Sequence, residues 1–171
     1  MDRDQIRDAI GSLVTYLGDH PEKWRIADPP ATAVMIDGLR CRAEGPGGAA
    51  IVTDMPRPVG GGDSAPRPGW FMRAALATCD ATVISMRAAQ LGIALDRLEV
   101  TVESESDPRG LLGMDDAVDA GPMRLRMRVV IGAAGVPKAE LRAIVEWADR
   151  HSPVGDALRR AVPVEVECVA G

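Results

Sequence analysis

The stretch Trp70-Phe-Met-Arg-Ala-Ala-Leu-Ala-Thr-Cys79-Asp-Ala-Thr-Val-Ile-Ser-Met86 is the longest apolar helical segment of the chain, and the rest is read outward from it. The charges Arg73, Asp80 and Arg87 recur every seven residues and so form one narrow stripe. Ala, Leu, Val, Ile, Met and small hydroxyls fill the remaining surface, so the helix must be covered on most sides. It is predicted from about Gly69 to Leu91, with Gly92 as its stop. Cys79 lies roughly 100° around from Asp80, on the stripe with Met72, Leu76, Val83 and Met86, and its sulfur is expected in apolar surroundings. A thiol held on such a helix beside a Gly-rich loop is either inert packing or a guarded nucleophile.

The segment before this helix, Pro56-Arg-Pro-Val-Gly-Gly-Gly-Asp-Ser-Ala-Pro-Arg-Pro68, carries four prolines and three consecutive glycines and is a loop. Upstream of it, Thr32–Ile36, Leu39–Ala43 and Ala49–Thr53 read as three strands of a meander, with the turn Gly45-Pro-Gly-Gly48 between the last two. At the start, Ile6, Ile10, Leu13, Val14 and Leu17 share one helical face, with Asp2 as N-cap and Gly18 as the stop. Beyond the central helix, Leu98, Val100 and Val102 alternate with Glu99, Thr101 and Glu103. Met123, Leu125, Met127, Val129 and Ile131 alternate in the same way with Arg124, Arg126 and Arg128. Paired antiparallel, these two strands would set glutamates against an arginine row. Residues 104–122 between them include Leu111, Leu112 and Met114 and are expected to pack as a lid or flap. A helix from Pro137 to Arg150, a helical turn after Pro153 and a last strand over Val162–Cys168 complete the prediction.

Composition removes several classes of function. A formal net charge of -5 and five aromatic residues argue against a nucleic-acid surface. The acidic opening Met-Asp-Arg-Asp-Gln is no signal peptide, and the charges of the Cys79 helix argue against a membrane span, so a cytoplasmic protein of one domain is expected. Neither His20 nor His151 has a second ligand at helical spacing, which argues against a metal. Gly60-Gly-Gly62 lacks the residues of a phosphate loop or a dinucleotide fingerprint and reads as turn geometry, so no cofactor is expected. Without a Gly-x-Ser-x-Gly elbow, cysteine is the obvious nucleophile. The three cysteines are widely spaced and odd in number, so at least one is free. Cys41 and Cys168 fall on the apolar faces of their predicted strands and read as core residues.

Around Cys79 the chain resembles the OsmC/Ohr family, the osmotically induced and organic hydroperoxide resistance proteins. The matching residues are Gly60-Gly-Gly-Asp, Pro68-Gly-Trp-Phe-Met-Arg-Ala-Ala-Leu-Ala-Thr-Cys79, Leu91-Gly-Ile, the strand Leu98–Glu103, and Arg150-His-Ser-Pro153 ahead of Val162-Pro-Val-Glu-Val. The resemblance spans about residues 30–169 and implies a single family domain over 1–171, with the N-terminal helix of residues 1–20 appended. The fold it implies is α+β: antiparallel sheets with a long buried central helix, in an intertwined homodimer. In peroxidatic members the cysteine matched by Cys79 attacks a peroxide as thiolate, becomes a sulfenic acid and condenses with a second cysteine. An arginine, held by a glutamate, favours the thiolate. Arg57 matches that arginine, and Arg67 is the alternative.

Two departures from the family pattern bear on function. Gly69 and Trp70 stand where the glutamate would follow the proline, and His151-Ser152-Pro153 replaces His-Cys-Pro. A serine forms no disulfide, so an oxidised Cys79 would need an external thiol as reductant. One reading is a one-cysteine, thiol-dependent peroxidase for organic hydroperoxides, with Cys79 as nucleophile, Arg57 lowering its pKa and Ser152 as a hydrogen-bonding neighbour. The other is a non-catalytic homologue binding a small apolar or thiol-bearing ligand at the dimer interface. A purely structural dimer is the third.

Overall fold

The computed structural model describes residues 2–171. The chain folds as two compact units, Ala9–Ala74 and the residues up to Asp8 together with Ala75–Gly171.

Helix α1 (Arg3–Asp19) begins with a reciprocal cap: Gln5 N–H donates to Asp2 Oδ1 and Asp2 N–H to Gln5 Oε1, both at 2.9 Å. It ends one residue past Gly18. No residue of α1 is buried, and Leu13 and Val14 of its apolar face are exposed. In the Ala9–Ala74 unit, β1 (Thr32–Asp37), β2 (Arg40–Glu44) and β3 (Ala50–Thr53) form the expected antiparallel meander in the order β1-β2-β3. Cys41 sits opposite Met35 and Thr53 and is half-buried.

The central helix α2 (Pro68–Gln90) leads into β4 (Arg97–Ser106), α3 (Pro108–Leu111), β5 (Pro122–Gly132), α4 (Lys138–His151) and α5 (Pro153–Arg160). Gly92, at φ +72, lets the chain leave α2, as its position predicts. Ile84 and Ala88 of α2 meet Leu141, Ile144 and Ala148 of α4 in the core of the second unit. Burial of each isoleucine contributes about 1.5–3 kcal/mol. Leu98, Val100, Val129 and Ile131 pack against this cluster from the paired strands. The alternation read in β4 and β5 therefore divides core from exposed face, except at Met123, which is 62% exposed. The glutamate and arginine rows meet only in part: Glu103 lies opposite Arg126 and Glu105 opposite Arg124, but Glu99 faces Val130 and bonds Arg97 of its own strand at 3.0 Å.

Two expectations fail for a common reason. Residues 162–171 form no strand, Val164 and Val166 are more than 80% exposed, and Cys168 is exposed rather than in a core. Leu111, Leu112 and Met114 are exposed as well, so residues 104–122 do not close as a lid. An alternating or apolar segment shows that a surface is suited to burial, but it does not supply the neighbour. The mixed α+β architecture with antiparallel sheets agrees with the sequence reading.

Candidate active site around Cys79

The site forms where α2 meets the junction between α4 and α5. α4 stops at His151 because Ser152 is extended (φ -75°, ψ 113°) and Pro153 has no N–H to continue the ladder. Ser152 then caps α5, its Oγ accepting the Gly155 N–H at 3.2 Å. A side chain at Gly155 would begin 3.1 Å from that oxygen, so glycine keeps the approach open. At the other end of the contact, the Arg87 guanidinium of α2 lies 4.7 Å from the centre of the Trp147 ring of α4, and His151 stacks on the same ring. Asp80 and Arg87 thus face α4 and α5. Two of the three charges in the stripe are therefore internal.

Ser152 is completely buried, and its Oγ lies 3.4 Å from Cys79 Sγ and 2.9 Å from Asp80 Oδ2. Cys79 itself is half-buried. Asp80 is only 1% exposed, and among the described residues its Oδ1 has no hydrogen-bond partner. Burial therefore pushes the Asp80 carboxyl above the ordinary carboxylate range. The Ser152 hydroxyl counters this, the Asp149 charge adds to it and Arg159 opposes it. Arg159 donates through Nη1 to the Asp149 carbonyl at 2.9 Å and forms an ion pair with the Asp149 carboxylate. A cavity of about 320 Å³ lies here, walled by Leu76, Leu125, Met127 and Leu158 and flanked by the Asp149–Arg159 pair. Gly155, whose N–H bonds Ser152 Oγ, also lines this cavity.

The sequence-derived residues are distributed unevenly. Cys79 and Ser152 meet. Arg57 opens a short 3-10 turn, Arg57–Val59, in the Ala9–Ala74 unit, and both it and Arg67 are exposed there. Within the Cys79 unit, the guanidinium whose charge acts on the site is Arg159, which the sequence reading passed over. Asp80 was also missed. A charge in a helix that must be covered nearly all round was the available signal.

A second buried carboxylate, Asp54, organises the Gly-rich loop. It is 3% exposed and accepts hydrogen bonds from the N–H groups of Met55, Gly62 and Ser64 and from the Ser64 hydroxyl. These donors, Ser64 first, hold its carboxyl well down, at about 2. A Cβ on Gly61 would fall 1.9 Å from the Met55 carbonyl oxygen, so the close turn around Asp54 requires glycine. The glycine run is turn geometry, as expected, and its purpose is to wrap a carboxylate.

Fold and site together define an α+β protein that presents one helix-borne thiol beside a serine and a buried carboxylate. The model of the OsmC-like protein family matches residues 60–167, and the chain belongs to that family. Among solved structures it is similar to an OsmC-like protein from Mycoplasma pneumoniae, with a TM-score of 0.66 and 15% identity over 79% of this chain and 89% of that one. An organic hydroperoxide resistance protein OsmC from Legionella pneumophila gives a TM-score of 0.58 and 23% identity over 79% of this chain and 91% of that chain. A third likeness is to a Vibrio cholerae organic hydroperoxide resistance protein with captopril bound in one of its active sites, with a TM-score of 0.54, 19% identity and coverage of 80% and 89%. At these identities the likeness is one of fold. No curated protein matches the chain. Among the described residues no helix is long and apolar enough to cross a membrane.

Proposed function

We propose that this OsmC-like protein is a one-cysteine, thiol-dependent peroxidase that reduces organic hydroperoxides at Cys79. The observation that carries the reading is the 3.4 Å contact between Cys79 Sγ and Ser152 Oγ. Ser152 occupies the position that the resemblance gives to the resolving cysteine, so the juxtaposition needed for the chemistry is kept while the disulfide partner is lost. The Cys79 thiolate attacks the terminal peroxide oxygen: an S–O bond forms, the O–O bond breaks, and the alkoxide leaves and is protonated to the alcohol. Sulfur is oxidised by two electrons to the sulfenic acid as the peroxide is reduced. One external thiol then forms a mixed disulfide with loss of water, and a second releases Cys79 and an external disulfide.

The cavity beside Gly155, apolar on most of its walls, suits the hydrocarbon part of such a substrate. Three free cysteines suit a reducing compartment, and the cytoplasm is the proposed location. Exposure of Val164, Val166 and Val169 after α5, and of Leu13 and Val14 on α1, supports a homodimer that covers them.

Reduced protein mixed with cumene hydroperoxide should gain oxygen on Cys79 within seconds by intact mass and peptide mapping, and Cys79→Ser should abolish that peptide's gain. A Cys79 that remains unmodified after minutes would reject the peroxidase and leave a ligand-binding homologue.

A further inference from the structure

The carboxylate that touches Ser152 has no task in the chemistry described so far, and its surroundings are unusual. A buried acid normally gathers donors, as Asp54 does. Asp80 has one oxygen on a hydroxyl that is shared with a thiol, and the other oxygen unpartnered.

Counting protons at Ser152 shows what this allows. The hydroxyl has a single hydrogen to donate and two lone pairs to accept with. One lone pair is taken by the Gly155 N–H. With Asp80 ionised, the hydroxyl hydrogen goes to Oδ2 and the Cys79 S–H donates to the remaining lone pair. With Asp80 protonated on Oδ2, that O–H donates to Ser152 Oγ and the hydroxyl turns its hydrogen to Sγ, now a thiolate. Both arrangements fill every position on Ser152, carry the same total charge and differ only by shifting two protons along the row. They differ in where the negative charge sits. In the first it is on a carboxylate that is 1% exposed and has an oxygen with no donor; in the second it is on a half-buried, polarisable sulfur. A charge is held more cheaply where water reaches it.

We propose that Asp80 is the proton acceptor for Cys79, acting through Ser152, so that Cys79, Ser152 and Asp80 form a relay that generates the thiolate. The S–H bond of Cys79 breaks as its proton passes to Ser152 Oγ, and the Ser152 hydroxyl proton passes to Asp80 Oδ2. When the peroxide O–O bond breaks, the proton returns by the same route to the departing alkoxide. Asp80 is again a carboxylate and nothing is consumed beyond the hydroperoxide. Asp80 is a positioning residue in this scheme, since it reaches the sulfur only through Ser152. The charged groups that act on it are Asp149 at the end of α4, which disfavours its anion, and Arg159 of α5, which favours it.

The inference rests on the peroxidase reading for its purpose, but its test does not need a peroxide. In protein carrying Cys41→Ser and Cys168→Ser, the rate of Cys79 alkylation by iodoacetamide is measured from pH 6 to 10. An ordinary thiol, with a pKa of about 8.5, is only about 3% ionised at pH 7, so Asp80→Asn should slow alkylation there on the order of 10- to 30-fold and rejoin the parent rate above about pH 9.5. Ser152→Ala should do the same with the carboxylate still present, and it serves if Asp80→Asn fails to fold. If Asp80 were merely a neighbouring negative charge, its removal would ease ionisation and Asp80→Asn would react as fast as the parent or faster. That result overturns the relay. A parent protein with the relay profile and no reaction with cumene hydroperoxide would keep the relay and reject the peroxidase.

Discussion

Asp54 and Asp80 are buried almost equally, at 3% and 1% exposure, yet their carboxyls are driven in opposite directions. Asp54 accepts from three backbone N–H groups and a hydroxyl supplied within ten residues of its own chain. Asp80 is set on a helix, whose backbone donors are already used, and meets a single hydroxyl from another element. Loss of water is common to both, so the donors decide the outcome. A loop can bend its amides around an anion, whereas a helix interior cannot. The first arrangement makes a structural carboxylate, the second a reactive one.

The contrast is broken most severely by removing the geometry that lets the loop close. Gly61→Ala places a carbon 1.9 Å from the Met55 carbonyl oxygen. No flexible side chain can yield there, so the turn itself must open, and a loss of about 2–4 kcal/mol is expected in urea unfolding. A midpoint unchanged from the parent would mean that the donors around Asp54 do not depend on that turn.

Next in size is the acid limb. Asp54 ionises at about 2 in the folded protein against 3.8 as the ordinary value, so its contribution is fully present above about pH 4 and is lost as the pH falls toward 2. Asp54→Asn should lower the melting temperature at neutral pH and flatten the fall in stability between pH 4 and 2. Asp80 should behave in the opposite sense. Its folded carboxyl titrates above 3.8, so the fold is favoured while Asp80 is protonated and loses that advantage as the pH rises through the folded value. Asp80→Asn keeps the shape and removes the charge. At pH 7 it should melt higher than the parent, and the gain should vanish in acid. A lower melting point at pH 7 would show that the Asp80 anion is better solvated than its contacts indicate.

The same contrast explains what could be read from the sequence. The hydrophobic periods placed α2, α4 and β5 within a residue or two, and β4 to within one residue at its start and three at its end, because one apolar face per element suffices to predict its form. Cys79 and Ser152 were found because the residues around them match a family pattern. Asp80 was read only as one member of a charge stripe. Its seven-residue spacing from Arg73 and Arg87 is identical whether the stripe faces solvent or a second helix, and only the Arg87–Trp147 contact and the Ser152 bond distinguish the two. Asp54 was legible in principle, as an aspartate at the end of a strand before a Pro- and Gly-rich loop, where side-chain oxygens commonly take backbone donors. The strand expected at Val162–Cys168 failed because alternation names a face and cannot name the neighbour that would pair with it.

The smallest predicted effect is the most discriminating. Arg159 is about half exposed and paired with Asp149, so Arg159→Gln should alter stability by less than about 1 kcal/mol. Its influence on reactivity has a sign that depends on which atom holds the charge. Removing the guanidinium leaves the Asp149 anion unopposed and makes the Asp80 anion less favourable, which in the relay sends charge toward sulfur. Alkylation of Cys79 at pH 7 should then rise, by no more than about threefold, since a thiol 10- to 30-fold more reactive than one about 3% ionised is already largely thiolate. Were Arg159 instead the cation that holds the thiolate, taking the part expected of Arg57, the same substitution would slow Cys79. Raising the ionic strength screens Arg159 and Asp149 alike and should leave the parent little changed, whereas in Arg159→Gln it should screen the unopposed Asp149 and bring alkylation back toward the parent rate.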